Sequence, residues 1–187
     1  MSFRDFLGNE PTVRHLRESI ATARLPHSLI LAGPRGAGKY TLAVMLAQAA
    51  NCLDPRETDG LPDFCGVCSN CTRIGQSADL DARVAEAIAA RDDLRETDKK
   101  ETRILIQPHP DVLIVPPDPP QNLIKIGQVR QVIHNAYYRQ PVEGKRSIFL
   151  FTSFIIFVSR ARTFLRRRLV QTPVTYWVAE TDRKSVV

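Results

Sequence analysis

An α/β fold, a parallel sheet flanked by helices and carrying a small cysteine-rich insertion, is what this 187-residue sequence predicts. Three observations point to it. Ser28 to Ala32 is a short apolar run followed by a glycine-rich turn and a helix-forming run, the strand–loop–helix context of a phosphate-binding loop. Compact β-branched runs alternate with segments of helical apolar spacing, as in a doubly wound sheet. All four cysteines fall within twenty residues, Cys52 to Cys71, and interrupt that alternation once.

Taken in order, residues 1 to 27 read as a lead-in and a helix. Asn9 stands at its cap, Pro11 in its first turn, and Val13, Leu16 and Ile20 on one face. Leu25-Pro26 ends it, and Ser28 to Ala32 has the character of a buried parallel strand. The turn is Gly33-Pro34-Arg35-Gly36-Ala37-Gly38-Lys39, with the spacing G-x-x-x-x-G-K. Glycines let successive backbone N–H groups converge on an anion, a helix N-terminus adds partial positive charge, and Lys39 would reach terminal phosphates. Tyr40 stands where Ser or Thr would hold Mg²⁺, and Thr41 is one position out of register. The following helix is expected over about Tyr40 to Asn51.

Residues 52 to 71 read as a loop-rich module: Cys52, an Asp/Pro/Gly-rich loop, then Cys65, Cys68 and Cys71 spaced C-x₂-C-x₂-C. In a reducing compartment four such thiolates suit a tetrahedral Zn²⁺, with Gly66 permitting the tight turn. An iron–sulfur cluster and four unrelated buried cysteines are the alternatives. With every ligand supplied by the protein, a metal here would be structural rather than catalytic.

Residues 72 to 107 form a helical insert. Leu80, Val84, Ile88 and Leu94 mark one face, and the charge-dense stretch Arg91 to Arg103 reads as a solvated surface. Gln107 to Pro110 is expected to turn, Asp111 to Val115 to be a strand, and Pro116 to Pro120 to be loop. Ile124 to Tyr138 returns to helix, with Ile126, Val129, Val132, Ile133 and Ala136 apolar and His134 an exposed or capping side chain rather than a ligand. Gly144-Lys145-Arg146 leads into a strand over Ser147 to Phe151.

Of the net charge of +6, +5 belongs to the segment from Arg160 onward, so the basic character says little about the rest of the chain. No secretory signal fits the N-terminus, and the longest apolar stretch, Ile148 to Val158, is far short of the ~20 residues of a spanning helix. A cytoplasmic location and no membrane partner are the expectation. The cysteine module also lacks the interleaved aromatic and basic side chains of a single-strand binding platform, which ranks a zinc-dependent nucleic-acid module last among the functions.

The segments FRDFLGNEPTVRHLRESI, LPHSLILAGPRGAGKYTLAVMLAQAANC, DFCGVCSNC, HPDVLIV and IKIGQVRQVIHNAYYRQPVEGKRSIFLF resemble, in that order, the N-terminal domain of bacterial DNA polymerase III clamp-loader subunits, delta-prime type. The resemblance implies a P-loop AAA+ domain over residues 1 to 153. It also implies a place beside gamma/tau and delta subunits in the complex that sets the sliding clamp on primed DNA, within the polymerase III holoenzyme. Motor subunits of the family hold Mg²⁺ through the loop hydroxyl and through acidic residues after a later strand. Here Tyr40 replaces the first, and Thr152 and Ser153 stand in place of the second. The expectation is therefore a subunit without catalytic activity of its own, binding ATP through Gly33, Pro34, Arg35, Gly36, Ala37, Gly38, Lys39, Tyr40 and Thr41 without hydrolysing it. An ATP-hydrolysing gamma/tau-type subunit is the alternative.

After about Ser153 the resemblance stops, and only Thr172 to Glu180 reads as a further strand. Asp182 to Val187 looks like a translated sequencing adapter, so residues 154 to 187 are expected to be a frame-shifted tail on a truncated domain. Were the tail native, Phe164 to Leu169 would be a basic helix available to DNA phosphates.

Overall fold

The computed structural model describes residues 2–119, 123–138, 140–152 and 175–179. A 3₁₀ turn, Phe3–Asp5, precedes α1 (Glu10–Ala21), and β1 (Ser28–Leu31) leads through the glycine loop into α2 (Lys39–Asn51). The cysteine module follows, with a hairpin of β2 (Arg56–Thr58) and β3 (Leu61–Asp63) and the short helix α3 (Ser69–Gly75). Then come α4 (Leu80–Asp92), α5 (Glu96–Glu101), β4 (Ile106–His109), β5 (Val112–Val115), α6 (Ile126–Tyr138), β6 (Ile148–Phe151) and β7 (Thr175–Ala179).

Five strands form one sheet in the order β1–β7–β6–β5–β4. Four run parallel, and β4 lies antiparallel against β5 at the far edge. In β5 and β6 all eight residues are buried because the sheet is covered on both faces. Val112, Ile114, Ile148 and Leu150 join the core built around α2, while Leu113, Val115, Phe149 and Phe151 meet Val129, Val132 and Ala136 of α6. Helix α2 is buried almost all round, with Leu42 to Ala47 inside, so it sits within the core rather than on it.

Several expectations change. Asn9 precedes α1 in a left-handed conformation, and its side chain does not cap the helix; its Oδ1 accepts from Thr12 Oγ1 at 2.9 Å instead. Strand β1 is parallel but only partly covered, with Ile30 58% exposed, because among the described strands it has one neighbour. Of the turn expected over Gln107 to Pro110, residues 107–109 belong instead to β4; the turn falls at Pro110-Asp111, and Pro108 is tolerated because β4 is an edge strand with irregular register. The loop expected after Cys52 contains the β2–β3 hairpin. Helix α4 has no buried residue, so Leu80, Val84 and Ile88 are only half-buried. Arg91, expected in solvent, pairs with the buried carboxylate of Asp118 at 2.7 Å, which ties the helical insert to the proline-rich loop. Ile126 is exposed rather than buried, whereas His134 is exposed as expected and packs against Tyr138. The strand read over Thr172 to Glu180 is present over Thr175–Ala179. The basic helix expected over Phe164 to Leu169, the adapter-like end Asp182 to Val187, and Ser153 lie outside the described residues. Among the described residues no helix is long and apolar enough to cross a membrane.

Candidate functional site

The glycine loop leaves the C-terminal end of β1. Register places Ile30, Val178 and Phe151 level across β1, β7 and β6, so the loop and Thr152 emerge from the same end of the sheet. Pro34, Arg35, Gly36 and Ala37 are exposed, and Gly33 and Gly38 are half-buried. Gly36 and Gly38 both take positive φ, +81° and +71°, and Gly38 is the N-cap of α2. A Cβ at Gly38 would also fall 2.9 Å from the Phe6 ring, so the N-terminal segment presses directly on the loop. No side chain caps α2, whose first amides are those a helix leaves without intrahelical partners. Lys39 is 9% exposed and folds back over the loop, its Nζ donating to Gly33 O at 3.1 Å and Pro34 O at 2.7 Å.

Tyr40 points elsewhere. Its hydroxyl donates to Ser77 O, just beyond α3, at 2.6 Å. Burial pushes the phenol up to about 12, with Asp79 adding to the rise against the lowering effect of the Ser77 contact. Thr41 is half-buried in the first turn of α2. Thr152 is buried at the end of β6, its N–H donating to Val115 O at 3.2 Å and its Oγ1 unpartnered among the described residues.

The four cysteines converge at the other end of the same helix. Cys52 is the C-cap of α2, Cys65 follows the hairpin, Cys68 is the N-cap of α3 and Cys71 lies in its first turn. All four Sγ atoms lie within 4.8 Å of one another, with Cys65 and Cys71 at 4.0 Å. A tetrahedral ion with bonds near 2.3 Å needs sulfurs about 3.8 Å apart, so this set closes on one metal with little movement. Backbone amides already point at the sulfurs: Cys65 N at Cys52, Cys68 N at Cys65 and Cys71 N at Cys68, at 3.3–3.4 Å. Burial pushes the Cys52 and Cys71 thiols up. Burial would raise Cys68 too, but hydrogen bonds from the Leu53 and Cys71 amides and from neighbouring thiols bring it down to about 6. That gives the module an anionic sulfur near neutral pH, the form a metal takes up first.

Residues that sequence reasoning passed over hold this module to the sheet. Asn51 brackets Arg146, accepting from its N–H at 2.9 Å and donating to its O at 3.0 Å. Asn70 donates to Asn51 O, and Gln48 donates to Cys71 O. The buried Asp111 carboxylate accepts the amides of Val142, Glu143 and Gly144. Arg17 donates to the carbonyls of Thr58, Leu61 and Pro62, clamping the hairpin onto α1. One signal was readable: an Asp directly before an apolar strand can cap a loop through its side chain.

Comparison with known proteins supplies the family. The sequence model described as "DNA polymerase III, delta subunit" matches residues 8–154. The chain is 35% identical over 80 residues to DNA polymerase III subunit tau of Escherichia coli, covering 43% of this chain and 12% of that protein. It is 34% identical over 96 residues to subunit gamma/tau of Mycoplasma pneumoniae, covering 50% and 13%, and 31% identical over 121 residues to subunit gamma/tau of Mycoplasma genitalium, covering 58% and 20%. It thus spans at most a fifth of the length of these three relatives. The family match over most of the chain is decisive, and the chain belongs to the DNA polymerase III delta subunit family of clamp-loader proteins.

Proposed function

We propose that this chain is a delta-prime-type clamp-loader subunit, a P-loop AAA+ domain that binds ATP without hydrolysing it. It works beside gamma/tau and delta subunits in placing the sliding clamp on primed DNA. The observation that carries the reading is the position of Tyr40. The side chain that should offer a hydroxyl to Mg²⁺ is a phenol engaged with Ser77 O, and β6 is followed by Thr152 rather than an acid. What remains is the anion cradle: Gly33 to Gly38, the start of α2 and Lys39, whose ammonium would exchange two loop carbonyls for phosphate oxygens. Mg²⁺ bridging and activation of water would have no ligand from Tyr40.

Cys52, Cys65, Cys68 and Cys71 would hold one structural Zn²⁺, which supplies a cross-link and no reaction chemistry. The sulfur spacing favours a single ion, because a cubane cluster would have to force the four sulfurs apart around its own iron and sulfide atoms.

Two measurements test the reading. ATP affinity should be the same with and without added Mg²⁺ in zinc-loaded protein, no chelator being present, and should fall at least tenfold in Lys39→Ala. Steady-state turnover should be absent. Mg²⁺-dependent hydrolysis abolished by Lys39→Ala would overturn this assignment in favour of a gamma/tau-type motor, the class named by the three relatives. Metal analysis should find one zinc and no iron per chain.

A further inference from the structure

The phosphate loop and the cysteine cluster occupy opposite ends of one buried helix, and two further struts join them. The helix itself runs from Gly38, its N-cap, to Cys52, its C-cap. Along its side, Tyr40 donates to Ser77 O, and Ser77 follows α3, the helix that carries Cys71. Ser77 is itself held, its side chain donating to Ile74 O at 2.6 Å and its N–H to the same oxygen at 3.1 Å. Over the top, Phe6 presses on Gly38 while the nearby Phe3 packs edge-on against Phe64 at 5.5 Å, beside Cys65. Phe3 N also donates to Asp63. Closing four thiolates on one ion would fix the angle between the end of α2 and α3. Ser77 moves with α3, so that angle sets where Tyr40, one residue after the loop lysine, is held.

We propose that Tyr40 is a positioning residue that yokes the phosphate loop to the cysteine module, so that metal in the module and anion in the loop strengthen each other. This rests on the reading of the loop as an ATP site and of the cysteines as a zinc site. It gives the substitution at position 40 a function. The hydroxyl that the loop would otherwise turn toward Mg²⁺ is turned toward the zinc module, and the loop is preorganised by a resident metal instead of one that arrives with nucleotide. Coupling of this kind is reciprocal: whatever factor zinc adds to ATP affinity, ATP must add to zinc affinity. One buried hydrogen bond sets the scale at about fivefold.

The test uses the full chain loaded with zinc. Zinc transfer to a chromophoric chelator is timed with and without saturating ATP, in the native protein and in Tyr40→Phe, which keeps the ring and removes only the hydroxyl. The expected result is that ATP slows zinc release about fivefold in the native chain and less than twofold in Tyr40→Phe. An equal ATP effect in both proteins, or no effect in a native chain that demonstrably binds ATP, overturns the coupling and leaves the ATP-site reading standing. If the chain binds no ATP, that reading fails, and amide exchange in the zinc-loaded proteins decides the coupling. Faster exchange at Gly33 to Tyr40 in Tyr40→Phe, with Val112–Val115 unchanged, supports the yoke; an unchanged loop overturns it. Phe6→Ala, which removes the second strut and leaves Tyr40 intact, should retain at least half of the ATP effect; its complete loss there would transfer the role from Tyr40 to Phe6 and overturn the assignment.

Discussion

Replacing Gly38 by alanine should cost far more stability than replacing Gly36, although both take nearly the same backbone conformation. At Gly36, φ is +81° and a new methyl group meets nothing within 4 Å, so the penalty is the conformational one alone, about 1–2 kcal/mol. At Gly38, φ is +71°, and the methyl would lie 2.9 Å from Phe6 Cε2 and 3.2 Å from Cζ. Carbon atoms rest at about 3.5–4.0 Å, so the ring must shift or turn, and overpacking of this kind adds about 1–3 kcal/mol. Gly38→Ala should therefore lose about 2–5 kcal/mol, and the difference between the two variants isolates the pressure of Phe6 on the loop. Urea unfolding of zinc-loaded protein measures it, with constant m-values ensuring that the same transition is compared. In a Phe6→Ala background the Gly38→Ala penalty should fall to that of Gly36→Ala. Equal penalties in the native background, or a Gly38→Ala penalty indifferent to Phe6, would refute the contact.

Two further outcomes follow from the buried polar groups beneath the cysteine module. Asp111→Asn exchanges one carboxylate oxygen for an NH₂ group facing backbone amides and should cost about 2–4 kcal/mol, since charge-assisted hydrogen bonds are worth about 1.5–3 kcal/mol each; a loss below about 1 kcal/mol in urea would mean that the loop at Val142 to Gly144 is held otherwise. His109 is buried, accepts from Asp111 N at Nδ1, and is held below the ordinary histidine range by burial and then by Arg73, against the opposing pull of Asp111 and Glu143. The unfolded chain takes up this proton first, so the contribution of His109 is full above about pH 6.5 and declines as pH falls toward the folded value. His109→Asn should flatten the drop in urea midpoint between pH 7.5 and pH 5.5; an identical drop in both proteins would show that another group titrates.

How much was readable depended on whether local chemistry and burial agreed. Strands β5 and β6 were legible because continuous β-branched and aromatic runs stand between turn residues, and α2 because its apolar run follows a glycine turn. The cysteine cluster was legible from spacing alone. Strand β4 was not, because Pro108 argues against a strand unless one knows that it lies at an edge. The β2–β3 hairpin carries a strong turn signal, Asp59-Gly60, both at positive φ, but its flanks are polar and its carbonyls are held by Arg17 from a distant helix. Arg91 shows the same limit. Its charged neighbours suggested solvent, and only the fold brings Asp118 beneath it. The Tyr40 substitution was plain in the sequence, whereas its partner, a main-chain carbonyl 37 residues away, carries no sequence mark.

The placement of the cysteines also bears on how a sheet tolerates an insertion. Cys52 and Cys71 mark the two ends of the module, and their sulfurs belong to the same cluster. An ion there would pin the point of departure to the point of return, so the eighteen-residue excursion between them would close on itself before any strand pairing is required. Loop entropy that would otherwise fall on the pairing of β1 with β7, whose connection contains the module, would then be absorbed locally by metal–sulfur bonds. Such a module could lengthen, shorten or change its hairpin without disturbing the register of the sheet. With such an ion in place, the hairpin at the module's surface would be free to change while its cysteine-bearing base stays fixed.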